Sequence, residues 1–94
     1  MPKYFPFKVA GYYLYYTMGC IIECMHVHVS GAKLSEVGSA KLFVKSNGDT
    51  IVQHQWDVSD TDIKKIQKYI KLNYEIMFEV WSKNSLHGYY GENK

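Results

Sequence analysis

The chain of 94 residues contains no arginine, so all eleven of its basic residues are lysines. Arginine supplies the two-pronged hydrogen bonding that recognises phosphate groups and guanine, and its absence counts against sequence-specific recognition of nucleic acid. The net charge of +2 is too small to indicate a polyanionic partner by itself.

Long apolar runs are also missing. The apolar stretch 11–25 contains Glu23 and is shorter than the roughly 20 residues that span a membrane. Residues 1–13 lack the continuous apolar segment of a secretory signal. We therefore expect a cytoplasmic protein with no membrane partner, in which the only two cysteines, Cys20 and Cys24, are reduced thiols.

Proline is scarce, the sequence contains no internal repeat, and no stretch resembles a linker. The two prolines lie at positions 2 and 6, and the hydrophobic fraction of 47% is that of a globular protein. We predict a single domain over 1–94. The tail at 84–94 has no periodicity and either docks on the domain or remains flexible.

Four stretches have the composition or alternation of strands, at about 8–17, 26–30, 39–46 and 50–56. Asn47 and Gly48 favour a two-residue type I′ turn between the last two strands. That turn would pair Val44 with Ile51 and Lys41 with His54.

A helix is predicted from about 60 to 83, with Ser59 as its cap and Asp62 at the capping-box position. The expected fold class is α+β, with a small antiparallel sheet of about four strands and one long C-terminal helix. Because the sheet is apolar on both sides and half of the helix is apolar, we predict a homodimer. The predicted interface residues are Tyr12, Tyr13, Tyr15, Tyr16, Ile76, Val80 and Trp81.

The segment "CMHVHVSG", residues 24–31, is the strongest chemical signal in the chain. Strand alternation places His26 and His28 on one side and the two valines toward the core. The simplest interpretation is a polar or interface face without chemistry.

Two chemical alternatives remain open for these histidines. The first is a zinc site with the ligands Cys20, Cys24, His26 and His28, which has suitable ligand types at an unusually tight spacing. The second is a metal-independent ribonuclease in which His26, His28, His54 and Lys41 supply a base, an acid and a phosphate-stabilising ammonium. No cofactor other than zinc is indicated.

Several of these residues together resemble a known family. An aromatic strand, Glu23 followed by "HVHV", "AKLFV" at 40–44, and a helix with Ile70, Asn73, Met77 and Trp81 are similar to domain of unknown function 4160, a family of small bacterial proteins. The resemblance runs from about Gly11 to Trp81, although Cys24 and Met25 stand where the family usually has two prolines.

The resemblance implies a toxin–antitoxin-like gene context and therefore a cognate small protein partner encoded nearby. We accordingly predict an interaction protein in preference to an enzyme. The alternatives are an RNA-cleaving enzyme and a zinc-binding protein.

Overall fold

The computed structural model describes residues 3–16, 24–31, 39–83, 85 and 88–90. In these residues the elements are strands β1 (Tyr13–Tyr15), β2 (His26–Ser30), β3 (Ala40–Val44) and β4 (Thr50–His54), followed by helix α1 (Asp60–Ser82). The strands form one antiparallel sheet in chain order. The predicted α+β fold class is confirmed.

The first strand is much shorter than predicted because a tight turn interrupts the aromatic segment. Val9 and Tyr12 exchange two backbone hydrogen bonds of 2.7 and 2.9 Å. Between them Ala10 and Gly11 have φ angles of 54° and 90°, the left-handed pair that a two-residue hairpin turn requires. The chain before the turn runs back along β1, so the N-terminal segment occupies the outer edge of that strand.

The turn between β3 and β4 has three residues, and the predicted two-residue turn was wrong. The Lys45 N–H donates to the Asp49 carbonyl at 2.8 Å, and the Gly48 N–H donates to the Lys45 carbonyl at 2.9 Å. Gly48 has a φ of 89°, as expected for the residue that closes a three-residue hairpin loop.

The longer turn moves the neighbouring register by one residue. Phe43, and not Val44, therefore lies opposite Ile51, which places Ile51 on the sheet face away from the helix. A bulge farther along then restores the predicted pairing of Lys41 with His54, with Gln53 as the extra residue in β4.

The tip of this hairpin is fastened to the helix. A Cβ atom on Gly48 would lie 2.6 Å from Cδ1 of Tyr74, so the close approach leaves room only for glycine. Beside this contact, Lys71 Nζ donates to the Asn47 carbonyl at 2.9 Å and lies 2.8 Å from Oδ1 of Asp49.

Helix α1 begins as predicted, since the Ser59 side chain accepts a hydrogen bond of 3.2 Å from the Asp62 N–H. Its buried side packs on the sheet face formed by the alternating apolar residues of β2 and β3. Each fully buried aliphatic side chain contributes roughly 1.5–3 kcal/mol. The buried helix residues are Ile63, Ile66, Ile70, Met77 and Trp81.

Part of the tail docks on the domain. The Met25 N–H donates to the Gly88 carbonyl at 2.8 Å, and the Tyr90 N–H donates to the Val44 carbonyl at 2.8 Å. The Tyr90 ring stacks on Phe43 with centroids 4.6 Å apart. Residues 84, 86–87 and 91–94 of the predicted tail lie outside the described residues.

Candidate functional site

The outer face of the sheet, opposite the one on which the buried side of α1 packs, carries the residues that the sequence singled out. Trp81, near the end of α1, reaches His26 at one end of this face. Backbone pairing aligns Tyr15, His28, Lys41 and His54 in one row across β1 to β4. His26 lies in the adjacent row, opposite Phe43. All four predicted catalytic residues therefore share one face, as their alternation predicts.

The four predicted catalytic residues differ strongly in how deeply they are buried. His26 and His28 expose only 0% and 3% of their surface, whereas Lys41 is half-buried and His54 is exposed. The His26 ring centroid lies 5.2 Å from that of His28 and 5.5 Å from that of Trp81. The two neighbouring histidines are thus packed among aromatic rings and not open to a substrate.

Hydrogen bonds hold both imidazoles in place. Nδ1 of His26 lies 2.9 Å from the Cys24 carbonyl oxygen, which can only accept, so this nitrogen carries the proton. Nδ1 of His28 lies 3.0 Å from Oγ of Ser39 in a buried contact. In addition, the Tyr4 hydroxyl donates to the His26 carbonyl at 2.8 Å. The first two contacts orient the imidazole rings, and the third holds the backbone of His26 in the packed fold.

The proposed zinc ligands are placed only in part. Cys20 lies outside the described residues, and Cys24 is half-buried next to His26. Within the described ranges, no group of three or more histidine, cysteine, aspartate or glutamate residues could hold a metal ion. The set that includes Cys20 stays a prediction.

The predicted interface residues fall into three classes of burial. Tyr15, Tyr16 and Trp81 are buried within the single chain. Tyr12, Tyr13 and Val80 are half-buried, and Ile76 is exposed. The dimer prediction therefore retains accessible apolar surface mainly on the helix.

Tyr12 has a specific task in the fold. Its hydroxyl donates to Oδ2 of Asp62 at 2.9 Å and so joins the end of the N-terminal hairpin to the first turn of α1. This hydrogen bond raises the pKa of Tyr12 above its ordinary value, and burial and the negative charges of Asp62 and Asp57 add to the effect.

A surface that the sequence did not single out lies along the other edge of the sheet. We call the edge of β4 that faces away from β3, together with Ile51 and Trp56, the β4 rim. Trp56 exposes 67% of its surface and Ile51 42%. In the part of the chain that the structure describes, no strand pairs with this side of β4. The tryptophan signal was visible in the sequence, but its exposure depends on the turn that follows β4.

That turn holds Trp56 in an unusual conformation. The Val58 N–H donates to the Gln55 carbonyl at 3.2 Å, and Nε2 of Gln55 donates to Oδ1 of Asp60 at 2.7 Å. Trp56 has a φ of 56°, a left-handed conformation that is rare for a bulky residue. The turn thus presents an indole to solvent at a conformational cost.

A shallow cleft of about 440 Å³, lined by residues of the β3–β4 hairpin and of α1, lies beside the point where the hairpin tip contacts the helix. Its lysines are Lys45, Lys68 and Lys71, of which Lys71 is paired with Asp49. The hydrogen bond and the charge of Lys71 lower the pKa of Asp49 below its ordinary value. The cleft contains none of the residues that the sequence predicted for a site.

Comparison with protein-family models, with curated proteins and with solved structures finds no match to this chain. The resemblance to domain of unknown function 4160 therefore stays a prediction. No helix in the described ranges is long and apolar enough to cross a membrane.

Proposed function

We propose that this protein is a small interaction protein that acts as a homodimer and as one component of a toxin–antitoxin-like pair, and that its β4 rim binds the cognate partner. The supporting observation is an inversion of the usual arrangement. Histidines, the residue type best suited to chemistry, are buried at positions 26 and 28, while Ile51 and Trp56 are exposed. Exposed apolar side chains on an open strand edge are typical of a protein-binding surface.

The two edges of the sheet support β4 as the docking edge. The outer edge of β1 already pairs with the N-terminal segment, through the Lys3–Tyr15 bridge and the hydrogen bond from Tyr4 to Leu14. β4 carries five strand residues, Thr50–His54. An extended segment of a partner could add to β4 as a further strand, with backbone hydrogen bonds for affinity and the Trp56 ring for specificity.

The conformation of Trp56 also favours a binding role. A left-handed residue costs about 1–2 kcal/mol, and glycine would occupy the position without that cost. An exposed tryptophan returns little of the cost through packing within the chain. Binding a partner would give the indole the contacts that it lacks in the isolated protein.

The test is co-expression with the protein encoded next to this gene, followed by a measurement of complex mass and affinity. The variants are Trp56→Gly and Ile51→Lys, and Phe7→Ser is the control because Phe7 is an exposed aromatic residue outside the rim. Each rim variant is expected to weaken the complex by about 2 kcal/mol, or roughly thirtyfold in Kd.

The same variants must remain folded for this result to count. Because Trp56 is mostly exposed and its backbone is left-handed, the free energy of unfolding of Trp56→Gly is expected to lie within about 1 kcal/mol of the wild-type value. The proposal is wrong if the neighbouring protein does not bind, or if both rim variants bind it as tightly as Phe7→Ser.

A ribonuclease is the second candidate, and the row that contains His28, Lys41 and His54 favours it. The exposed imidazole of His54 and the buried imidazole of His28, two strands apart, could serve as the acid and the base. This mechanism requires that a substrate reach His28. Cleavage of a short RNA that is lost in both His28→Ala and His54→Ala, with the fold retained, would support it.

A further inference from the structure

We propose that two copies of this chain associate through one stripe of helix α1, centred on Leu72, with the two helices antiparallel. The inference rests on the homodimer in the proposed function and adds its contact surface. It does not depend on the binding of a partner at the β4 rim.

The stripe is apolar at its centre and exposed. Leu72 exposes 73% of its surface and Ile76 exposes 56%, although the helix buries another side completely. Tyr69, one turn earlier, is half-buried and meets the Phe5 ring edge-on with centroids 5.5 Å apart. The apolar surface of the helix therefore continues beyond the part that the sheet covers.

The stripe follows the spacing of a helix-pairing seam. Its members are separated by alternating steps of four and three residues, which keeps them on one side of a helix over several turns. In order along α1 they are Lys65, Tyr69, Leu72, Ile76 and Glu79. A positive residue begins the stripe, three apolar residues fill it and a negative residue ends it.

This order is complementary to itself only when one copy is reversed. Lys65 and Glu79 each lie seven residues from Leu72, so a two-fold axis at Leu72 brings Lys65 of each copy opposite Glu79 of the other. Ile76 of each copy then lies beside Tyr69 of the other, and the two Leu72 side chains meet on the axis. A parallel pair would place like charges together.

Beyond the first turn, which carries Asp60 and Asp62, the other charges of the helix also favour this direction. The exposed lysines 64, 65, 68 and 71 all precede Leu72, whereas Glu75 and Glu79 follow it. Reversing one copy lays the basic half of each helix beside the acidic half of the other. Charge complementarity therefore favours a second copy of this chain over an unrelated partner.

The experiment measures the dimer dissociation constant of the protein alone by sedimentation equilibrium. Leu72→Lys is expected to weaken the dimer about 100-fold, because each copy loses a buried leucine and gains a lysine that faces its symmetry mate. Circular dichroism should show an intact fold, since the Leu72 side chain contributes little to the core of one chain.

Charge reversal tests the antiparallel register. Lys65→Glu and Glu79→Lys should each weaken self-association about tenfold, because each places two like pairs at the interface. An equimolar mixture of the two variants should form a heterodimer with the affinity of the wild type, since both pairs are then opposite in sign. Lys8→Glu and Asp57→Lys, which reverse exposed charges outside the helix, are the matched controls and should not change the Kd.

Three results would overturn the inference. A wild-type protein that is monomeric throughout the concentration range has no such interface. A dimer that survives Leu72→Lys uses another surface. Charge variants that fail to recover affinity on mixing exclude the antiparallel register. Because no partner protein is present, these outcomes are independent of binding at the β4 rim.

Discussion

The part of the outer face that lies around β2 and the β4 rim differ in a way that inverts the usual distribution of residue types. On the outer face, His26 and His28 are enclosed by the rings of Phe43 and Trp81 and by hydrogen bonds to their neighbours. On the rim, Ile51 and Trp56 are exposed. The comparison shows that the presence of histidines on one strand face does not by itself identify a catalytic surface.

The two regions also differ in how other segments cover the sheet near them. The N-terminal hairpin covers the edge at β1, and the docked segment Gly88–Tyr90 reaches the ends of β2 and β3. The β4 side is fastened to the helix mainly at the hairpin tip, through Gly48 and Lys71. Substitutions at the enclosed histidines of β2 should therefore act on stability, and those on the rim on binding.

The largest expected effect is the loss of stability in His26→Ala. Truncation would leave a cavity beside the rings of His28 and Trp81, which is expected to cost about 2–4 kcal/mol of unfolding free energy. Urea denaturation followed by fluorescence measures this change directly.

His54→Ala is the matched comparison, because His54 is exposed on the same sheet face. Its unfolding free energy should change by no more than about 0.5 kcal/mol. Equal effects at the two positions would show that the burial of His26 does not stabilise the fold.

The smallest expected effect is the loss of stability at low pH from the ion pair between Asp49 and Lys71 at the hairpin tip. Lys71 lowers the pKa of Asp49, so the ion pair contributes stability above the pKa of the unfolded chain. This contribution is lost as the pH falls through the lower pKa of the folded state. An NMR titration of the Asp49 carboxyl carbon should give a pKa that rises toward its ordinary value in Lys71→Gln.

Lys64→Gln is the control for this titration, because it removes an exposed lysine from the same helix away from the hairpin. An unchanged Asp49 pKa in Lys71→Gln would mean that the contact of 2.8 Å does not persist in solution. Since both side chains are exposed, only a slight change in stability accompanies the shift.

Local patterns predicted the helix and the strand faces well, because both depend on residues close together in the sequence. Ser59 and Asp62 mark the observed helix start, and the alternation from His26 to Val29 gives the observed faces of β2. The pairing of Lys41 with His54 was also predicted, although a longer turn and a bulge compensate each other to produce it.

The sequence could not predict which side chains the fold would enclose. The turn at Ala10 and Gly11 divides an aromatic run that reads as one strand. This turn was not predicted, because alanine seldom adopts a left-handed φ. Burial of the two histidines depends on contacts distant in sequence, including Trp81 and Ser39. The exposure of Leu72, by contrast, follows from helical periodicity, because Leu72 lies on the side of α1 opposite the buried Ile70 and Met77.

The most direct test of the central claim is the rate at which diethyl pyrocarbonate modifies each histidine of the native protein, measured by peptide mass spectrometry. We expect rapid modification of His54 and strong protection of His26 and His28, with the difference abolished in urea. Protection at both positions would support structural histidines in an interaction protein. Modification of His28 as fast as that of His54 in the folded protein would contradict this account and favour the ribonuclease.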